Sequence, residues 1–290
     1  MSEPKRFSIA AADGWPLAAT LFPGTGPGTV VIGSASGVKR RFYEPFAAWL
    51  SSRGPSVLTF DYRGIGDSRH HHVRQVDAAM RHWGELDLDA ALAWGRDRAG
   101  PLFYVGHSVG GQVFGLAAAN RHVAAAVTVG AGYGYWGNYR HWRKPALFLA
   151  WHVAMPTLVK GLGYFPARRL GMGEDLPPGI ALEWARWGRD PDHLMGRGTG
   201  PSRANFGGYR GPLLAYAITD DGYVPPRAVA ALHANFTGAR VDLRHLHPHR
   251  LGLPRLGHFG FFREARRDTL WREAADWLLA RADCSAAAAA

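Results

Sequence analysis

The sequence predicts an α/β protein in which helices cover both faces of a mostly parallel sheet. Short apolar runs typical of buried parallel strands alternate with longer stretches of helical periodicity along most of the chain. In addition, 47% of the 290 residues are hydrophobic and 20% are charged, which supplies a large core and excludes a disordered protein. Strands joined through helices form right-handed crossovers, and these crossovers place helices on both faces of one sheet.

Eight strands are predicted, of which the first two form a hairpin. Residues 7–10 and 16–22 flank Asp13 and Gly14, and an Asp-Gly pair between two strand-like runs favours a tight turn. The other six strands are short apolar runs at residues 29–32, 57–60, 102–105, 123–129, 213–218 and 241–243. Helices are predicted at residues 42–53, 78–98, 109–120, 226–234 and 261–281.

The alternation of strands and helices stops over residues 133–206. We interpret this stretch as a helical lid that is inserted into a core of residues 1–132 and 207–283. The stretch holds five of the eleven tryptophans, and an aromatic-rich insertion between two sheet strands is typical of a lid over a pocket. The alanine-rich residues 284–290 are predicted to be a disordered tail.

Three aromatic residues of the predicted lid are candidates for substrate binding, namely Tyr135, Trp136 and Trp151. Aromatic and other apolar side chains form most of the wall of a small-molecule pocket. The alternative interpretation is that these rings only pack the insertion against the core.

Charge and cysteine content exclude several classes of function. Cys284 is the single cysteine, so the chain can form neither an internal disulfide nor a structural zinc site made of cysteines. The formal net charge is +11, from 34 basic and 23 acidic residues, and this sign attracts nucleic acids, anionic membranes or acidic substrates. The basic residues are spread along the chain, without a block of five and without a nucleic-acid-binding motif. We therefore expect no nucleic-acid partner.

No segment of the sequence has the features of a secretory signal or of a membrane-spanning helix. The first residues lead into polar sequence rather than into the apolar stretch that a signal peptide contains. The longest apolar stretch, residues 145–159, contains His152 and Pro156 and is shorter than the roughly 20 residues of a membrane span. The sequence therefore predicts a cytoplasmic protein without an integral membrane segment, and it leaves the oligomeric state open.

The strongest motif lies at residues 106–110, which read Gly-His-Ser-Val-Gly and match G-x-S-x-G. The motif has the context that it requires, because a buried strand precedes it and a helix follows it. The serine of such a turn is exposed on strained backbone, and the flanking glycines remove side chains that would collide. Ser108 is therefore the predicted nucleophile. Since Ser108 precedes a helix, the N–H of Val109 is the predicted first donor to an oxyanion.

A serine hydroxyl becomes a good nucleophile when a base removes its proton, and the base needs a carboxylate that fixes its tautomer. Where G-x-S-x-G joins a strand to a helix, the acid and then the histidine follow the serine along the chain. Asp220 and Asp221 both follow the strand predicted at residues 213–218, and His258 precedes the last predicted helix.

These motifs resemble the α/β-hydrolase superfamily over nearly all of residues 5–282, and the chain is similar to its bacterial serine-aminopeptidase-like and monoglyceride-lipase-like members. Members of the superfamily commonly carry an acid three residues before a Val-Pro pair. The resemblance therefore implies Asp221, rather than Asp220, as the acid. The residues that carry the resemblance are 61–68, 106–111, 221–225 and 257–260.

The resemblance also implies roles for two loops. The turn at residues 61–68 is structural in the family, which implies that Arg63 braces a loop. In the loop after the strand at 29–32 the family often carries His-Gly, whereas this chain reads Gly-Ser-Ala-Ser-Gly from residue 33. The N–H of Ala35 is the predicted second oxyanion donor, with Ser34 and Ser36 as alternatives. Because the donor is a backbone group, the missing histidine does not abolish the function.

No cofactor and no metal are expected. Residues 132–137 match G-x-G-x-x-G after a strand, but bulky rings fill the variable positions and no acidic residue follows about 20 residues later. Dinucleotide binding is therefore not expected. The histidines at positions 70–72 and at positions 245, 247 and 249 lack the spacing of a metal site, so we interpret them as solvated loop residues.

The motifs and the resemblance together predict a serine hydrolase that cleaves carboxylic esters of small to medium hydrophobic acids through an acyl-enzyme. The predicted catalytic residues are Ser108, His258 and Asp221, and the partner is a small hydrophobic ester. Thioesters, amides or peptides, and carbon–carbon bonds are alternative substrates for the same residues. Two other classes remain open: a non-catalytic receptor for a hydrophobic ligand, and a protein whose lid binds a partner or a membrane surface.

Overall fold

One eight-stranded sheet forms the centre of the molecule, which a computed structural model describes over residues 3–196 and 199–281. The strands are β1 (Lys5–Ala10), β2 (Pro16–Phe22), β3 (Thr29–Gly33), β4 (Ser56–Phe60), β5 (Leu102–His107), β6 (Val123–Val129), β7 (Leu213–Ile218) and β8 (Val241–Leu246). Their order across the sheet is β1-β2-β4-β3-β5-β6-β7-β8. β2 pairs antiparallel with β1 and β4, and all other pairs are parallel. The predicted mostly parallel sheet of eight strands is therefore confirmed.

Helices connect the strands and follow the last one. In the described part of the chain the α-helices are α1 (Glu44–Ser51), α2 (Asp89–Arg96), α3 (Val109–Val113), α4 (Lys144–Leu149), α5 (Met155–Leu162), α6 (Pro178–Arg189), α7 (Asn205–Gly208), α8 (Pro226–His233) and α9 (Arg272–Leu279). Wider π-helical turns lead into three of them, at Trp83–Leu88 before α2, Ala150–Ala154 before α5 and Arg267–Trp271 before α9.

The helix after β5 is shorter than the sequence predicts. The prediction covered residues 109–120, but α3 ends at Val113 and two 3₁₀-helical segments follow it. Glycine lowers helix propensity, and this stretch contains three glycines. One of them, Gly115, faces the ring of Phe206 so closely that a Cβ would lie 2.3 Å from a ring atom. Packing thus decides where the helix ends.

The core is divided by the sheet into two layers. Successive side chains of a strand point to opposite faces, so Val30 and Ile32 of β3 pack on the layer that contains α1 and α9. Val31, between them, packs on the opposite layer, which contains α2. All three valine and isoleucine side chains are fully buried. Helices therefore cover both faces of the sheet, as predicted.

The loops that precede the site are braced by buried ion pairs. Asp61 accepts a hydrogen bond from the main-chain N–H of Arg40 at 2.7 Å, and its carboxylate also contacts the Arg40 guanidinium. Arg63 is 2% exposed and pairs with Asp87 at 2.6 Å and with Asp13 at 2.6 Å. The Arg63 side chain therefore holds three segments together, which is the behaviour of a loop brace.

Between β6 and β7 the chain leaves the sheet and forms α4, α5 and α6. The π-helical turn before α5 packs closely on α6 at Gly188. A Cβ at this position would lie 2.6 Å from the ring of Trp151. This is the segment that the sequence predicts as a lid. Its boundaries at residues 133–206 stay a prediction, and the predicted tail at residues 284–290 lies outside the described residues.

Candidate active site

Ser108 stands on strained backbone at the junction of β5 and α3. Its φ of 54° and ψ of −117° lie outside the conformations that residues with a side chain ordinarily adopt. Its own N–H donates to the carbonyl of Val129 on the neighbouring strand at 2.9 Å, which ties the turn to the sheet. Backbone strain of this kind persists only where the surrounding structure holds it, and it is concentrated at functional sites.

The two glycines of the motif at residues 106–110 are required by close backbone contacts. A Cβ on Gly106 would lie 2.8 Å from the amide nitrogen of Gly111, and a Cβ on Gly110 would lie 2.3 Å from the carbonyl oxygen of Gly33. Neither neighbour is a flexible side chain that could move aside. The sharp turn that exposes Ser108 therefore needs glycine at both positions.

The loops after β7 and β8 bring Asp221 and His258 together. The Nδ1 of His258 lies 2.6 Å from Oδ2 of Asp221, and both side chains are buried. Because a carboxylate can only accept, this contact assigns the proton to Nδ1 and leaves Nε2 as the acceptor. The second oxygen of Asp221 accepts the N–H of Tyr223 at 2.6 Å and of Val224 at 3.0 Å. The carboxylate is thus held in one orientation toward the imidazole.

The neighbouring acid, Asp220, has a different partner. Its two carboxylate oxygens accept the main-chain N–H groups of Leu256 at 2.9 Å and Gly257 at 3.0 Å. Asp220 therefore fixes the loop that leads to His258 and does not contact the imidazole. Of the two acids that the sequence left open, the structure brings Asp221 to the histidine, as the resemblance implied.

Ser108 and His258 line the same cavity, which has a volume of about 390 Å³ and lies between the sheet edge and the segment containing α4 to α6. Ser108 is 8% exposed and His258 is 6% exposed, so both are shielded from bulk water. Most of the wall is apolar. It includes Leu147, Trp151, Met155, Leu158, Phe165 and Trp184.

A chain of three hydrogen bonds connects the loops around the cavity. The N–H of Ala35 donates to the Tyr43 hydroxyl at 2.9 Å, and this hydroxyl lies 2.8 Å from Nδ1 of His107. Nε2 of His107 lies 3.0 Å from the carbonyl oxygen of His258. The carbonyl can only accept, so Nε2 of His107 carries its proton and the Tyr43 hydroxyl donates to Nδ1. Burial lowers the pKa of His107 well below its ordinary value, so this ring is neutral.

This chain of hydrogen bonds corrects one prediction. The N–H of Ala35, predicted as the second oxyanion donor, is occupied by Tyr43, because the loop after β3 folds over the buried hydroxyl. Ala35 and Ser36 both line the cavity, and the N–H of Ser36 has no acceptor in the described part of the chain. Val109 begins α3, where the first N–H groups of a helix lack an intrahelical partner.

The three predicted substrate-binding aromatics lie in different places. Trp151 lines the cavity, and its Nε1 donates to the carbonyl of Gly134 at 3.0 Å. Tyr135 and Trp136 do not line it, so their contact with substrate stays a prediction. The Trp136 ring packs instead on Phe148 at 5.3 Å and on Tyr135 at 5.5 Å.

Several cavity residues were missed by the sequence analysis. Gln112 lies one helical turn after Ser108 and could have been found from that spacing. Trp184 and Tyr139 come from distant parts of the inserted segment, and no local pattern marks them as cavity residues. Arg143 also lines the cavity, and its guanidinium donates to the carbonyl of Gly222.

The described residues contain no group of three or more His, Cys, Asp or Glu side chains that could hold a metal ion. In the same part of the chain, no helix is both long enough and apolar enough to cross a membrane. The cytoplasmic compartment and the lack of a nucleic-acid partner stay predictions from the sequence.

Comparisons with known proteins agree with this architecture. A sequence model of the family described as serine aminopeptidase, S33, matches residues 27–168, which include β3 to β6 and Ser108. A curated protein of Schizosaccharomyces pombe that carries the name of a monoglyceride lipase is 34% identical over 90 residues. This match covers 29% of the chain and only 24% of that protein, so the chain matches about a quarter of its relative's length.

Solved structures match over almost the whole chain. A soluble variant of the monoglyceride lipase of Saccharomyces cerevisiae superposes with a TM-score of 0.66 at 16% identity, covering 97% of this chain and 96% of that one. An esterase of Exiguobacterium antarcticum gives 0.62 at 17% identity, covering 94% and 99%, and an esterase of Pyrococcus furiosus gives 0.60 at 17% identity, covering 96% and 92%. The chain therefore has the fold of the α/β-hydrolases, and it is similar over part of its length to serine-aminopeptidase-like and monoglyceride-lipase-like proteins, as the sequence predicted.

Proposed function

We propose that this protein is a serine hydrolase that cleaves carboxylic esters of small to medium hydrophobic acids through an acyl-enzyme. The observation that carries the proposal is the shared cavity: Ser108 on strained backbone and His258, held by Asp221, line one apolar space. A serine and an imidazole that is held by a carboxylate, when they line one cavity, are the groups that catalyse acyl transfer in serine hydrolases. The monoglyceride lipase and esterases among the related proteins act on the same class of bond.

In the acylation step, Nε2 of His258 removes the proton of Ser108 while Oγ attacks the ester carbonyl. Asp221 keeps the proton of the imidazole on Nδ1 and stabilises the imidazolium that forms. The N–H of Val109 and, in place of that of Ala35, the N–H of Ser36 donate to the oxyanion. His258 then gives its proton to the leaving alcohol as the carbon–oxygen bond breaks. In the second step, His258 activates a water that releases the acid and restores Ser108.

The size and lining of the cavity support the acid component of the proposed substrate. A volume of about 390 Å³ is near the lower end of the range for small-molecule sites, roughly 300–1,000 Å³. Apolar surface removed from water contributes roughly 25 cal/mol per Å² to binding, so a hydrophobic acyl group is favoured against these walls. A small to medium hydrophobic acid therefore suits the cavity.

Other bonds remain candidates for the same residues. Thioesters, amides or peptides, and carbon–carbon bonds can all be cleaved by an activated serine, and the name of the matching family supports the amide alternative. A non-catalytic receptor for a hydrophobic ligand would use the cavity without the chemistry. The strain at Ser108 favours catalysis, because a receptor has no need of it.

Fluorophosphonate labelling combined with hydrolysis of p-nitrophenyl esters of graded acyl length tests the proposal. Wild-type protein should be labelled and should turn over the shorter esters. Ser108→Ala should lose the label and lower kcat by roughly 10³- to 10⁶-fold with an unchanged circular dichroism spectrum. Ser52→Ala, at an exposed serine after α1, is the matched control and should retain both. Absence of labelling and turnover in the folded wild type would instead support the receptor.

A further inference from the structure

A second cleft adjoins the substrate cavity at His258. It has a volume of about 470 Å³ and opens to solvent beside the loop that carries the imidazole. The two spaces share four lining residues, so His258 belongs to the wall of both. The shared residues are Gly222, Tyr223, His258 and Phe259.

Three arginines line this second cleft, which we call the arginine cleft: Arg255, Arg263 and Arg266. Arg255 and Arg263 are exposed, and Arg266 is half-buried. The guanidinium of Arg255 folds back toward the histidine loop, since its Nε would lie 3.5 Å from a Cβ on Gly257. The positive charge therefore lies directly beside the residue that precedes His258.

The three arginines of the cleft are available to bind a ligand. In residues 3–196 and 199–281, none of the three guanidinium groups forms an ion pair with a carboxylate. Asp220 accepts the N–H groups of residues 256 and 257, and Glu264 is exposed and forms no ion pair with these arginines in the same part of the chain. By contrast, Arg244 of β8 pairs with two carboxylates.

A fourth arginine lies on the opposite side of the shared residues. Arg143 lines the substrate cavity and donates to the carbonyl of Gly222, which is part of both walls. Its partner is a neutral carbonyl and not a carboxylate. The segment at residues 222–223 therefore lines a cleft with three arginines and is contacted by a fourth, next to the predicted base.

The proposed mechanism decides which part of a substrate meets these charges. His258 must reach the leaving oxygen to protonate it, so the leaving group lies against His258, whose other neighbour is the arginine cleft. Guanidinium groups match the geometry of phosphate oxygens and bind them through paired hydrogen bonds. A phosphate can accept from several arginines at once, and it carries enough negative charge to compensate more than one of them.

We propose that the leaving group of the substrate carries a phosphate that binds in the arginine cleft, while the hydrophobic acid occupies the cavity. The inference rests on the proposed function and extends it to the substrate. Hydrolysis then breaks the bond between the acyl carbon and the leaving oxygen or sulfur, and water supplies the hydroxyl and the proton. The phosphate can belong to a phosphorylated alcohol or to a phosphorylated thiol such as coenzyme A.

Two matched pairs of substrates test the inference. S-butyryl-4′-phosphopantetheine is compared with S-butyryl-pantetheine, and 1-butyrylglycerol 3-phosphate is compared with 1-monobutyrin, so the members of each pair differ only in the phosphate group. In at least one pair, kcat/KM for the phosphorylated member should exceed that for the neutral member by about tenfold or more at low salt. The preferred pair identifies the alcohol or the thiol as the source.

A charge-matched pair of triple variants separates the cleft from the general positive charge of the protein. Arg255→Gln, Arg263→Gln and Arg266→Gln together should bring the ratio of kcat/KM values close to one, mainly through KM. The control combines Arg6→Gln, Arg210→Gln and Arg240→Gln, which are exposed positions on β1 and before β7 and β8. It removes the same charge and should keep the wild-type ratio. An equal fall of the kcat/KM ratio in the two triple variants would overturn the proposal, because long-range attraction to the net positive charge would then account for the preference.

Binding provides a readout that is independent of turnover. Pyrophosphate titrated calorimetrically into Ser108→Ala should bind, and the additional Arg266→Gln substitution should weaken it by about fivefold or more. A ratio near one in wild type together with no pyrophosphate binding overturns the inference, even if neutral esters are hydrolysed. Failure of the proposed function gives a different result, namely no turnover of any ester by the wild type.

Discussion

Nε2 of His107 donates a hydrogen bond to the main-chain carbonyl of His258 at 3.0 Å, so the residue before the predicted nucleophile holds the predicted base. The same imidazole accepts from the hydroxyl of Tyr43 through Nδ1 at 2.8 Å. The relative position of Ser108 and His258 therefore depends on a neutral, buried ring that performs no proton transfer itself. Positioning of this kind matters because small displacements of reacting groups lower rates strongly.

Replacement of His107 should affect rate as well as stability. His107→Leu removes the acceptor of the Tyr43 hydroxyl and the donor to the His258 carbonyl, so the free energy of unfolding should fall by about 2–4 kcal/mol. We expect kcat to fall roughly 10- to 100-fold with little change in KM, because His258 loses its support. Urea unfolding and ester kinetics measure the two effects.

The control for His107 is another buried histidine that lies away from the site. His233 contacts Thr128 at 2.8 Å and the carbonyl of Val229 at 2.7 Å. His233→Leu should therefore lower stability comparably without lowering kcat. Equal losses of kcat in the two variants would show that the effect of His107 comes from general destabilisation.

Substitution of Asp221 and substitution of Asp220 should lower kcat to different extents. Asp221→Asn removes the carboxylate that fixes the tautomer of His258, so kcat should fall by roughly 10³- to 10⁴-fold. Asp220→Asn retains an amide oxygen that can accept from the N–H of Leu256 or Gly257, so kcat should fall by less than about tenfold. Steady-state kinetics on one short ester decides between them. A larger loss for Asp220→Asn would reverse the assignment of the acid.

The preference for acyl length should depend on Trp151 and not on Trp136. Trp151→Phe enlarges the cavity, so the ratio of kcat/KM for longer over shorter p-nitrophenyl esters should rise roughly tenfold. Trp136→Phe changes a ring outside the cavity and should leave the profile as it is in the wild type. Profiles from acetate to decanoate provide the comparison. A shift caused by Trp136→Phe alone would place the acyl group on the other side of the inserted segment.

Stability at acid pH should report on His193. This ring is 1% exposed, packs between Tyr133 and Trp187, and has no hydrogen-bond partner in the described part of the chain. Burial lowers its pKa to about 3, compared with about 6.5 in an unfolded chain. Below pH 6.5 the unfolded state therefore binds a proton that the folded state does not, and the free energy of unfolding falls by about 1.4 kcal/mol per pH unit toward pH 3.

The variant His193→Asn isolates this contribution. Asparagine tolerates the positive φ of 51° at this position and does not titrate. Between pH 6.5 and 4.5 the slope of unfolding free energy against pH should be smaller in the variant by about 1.4 kcal/mol per pH unit, since all other titrating groups are common to both proteins. Parallel slopes in urea titrations across this range would contradict a buried, neutral His193.

The sheet could be predicted from sequence because its signal is local. Each buried strand is a short apolar run. The sharp turn after β5 is marked by the motif at residues 106–110, whose two glycines are required by close backbone contacts. The acid and the histidine were placed by their order along the chain and by their position after strands. The end of α3 at Val113 could not be predicted, because it depends on the approach of Phe206 from far along the chain.

The residues that form the walls of the cavity could not be predicted from the sequence. Tyr135, Trp136 and Trp151 look equivalent in the sequence, yet only Trp151 among them faces the cavity. Likewise, nothing in the sequence indicates that the Tyr43 hydroxyl occupies the N–H of Ala35. The direction of a side chain on an inserted helix depends on the helix against which it packs, and neighbouring residues of the chain do not encode that direction.

The sequence by itself determined the order of the elements, the turn at Ser108 and the identity of the residues able to act there, because strand periodicity and glycine spacing act over a few residues. Only the tertiary structure decided that Asp221 and not Asp220 contacts His258, that the Tyr43 hydroxyl accepts the N–H of Ala35, and that three arginines gather beside the site. These are contacts between loops that parallel strands bring to one edge of the sheet, so they exist only once the chain has folded.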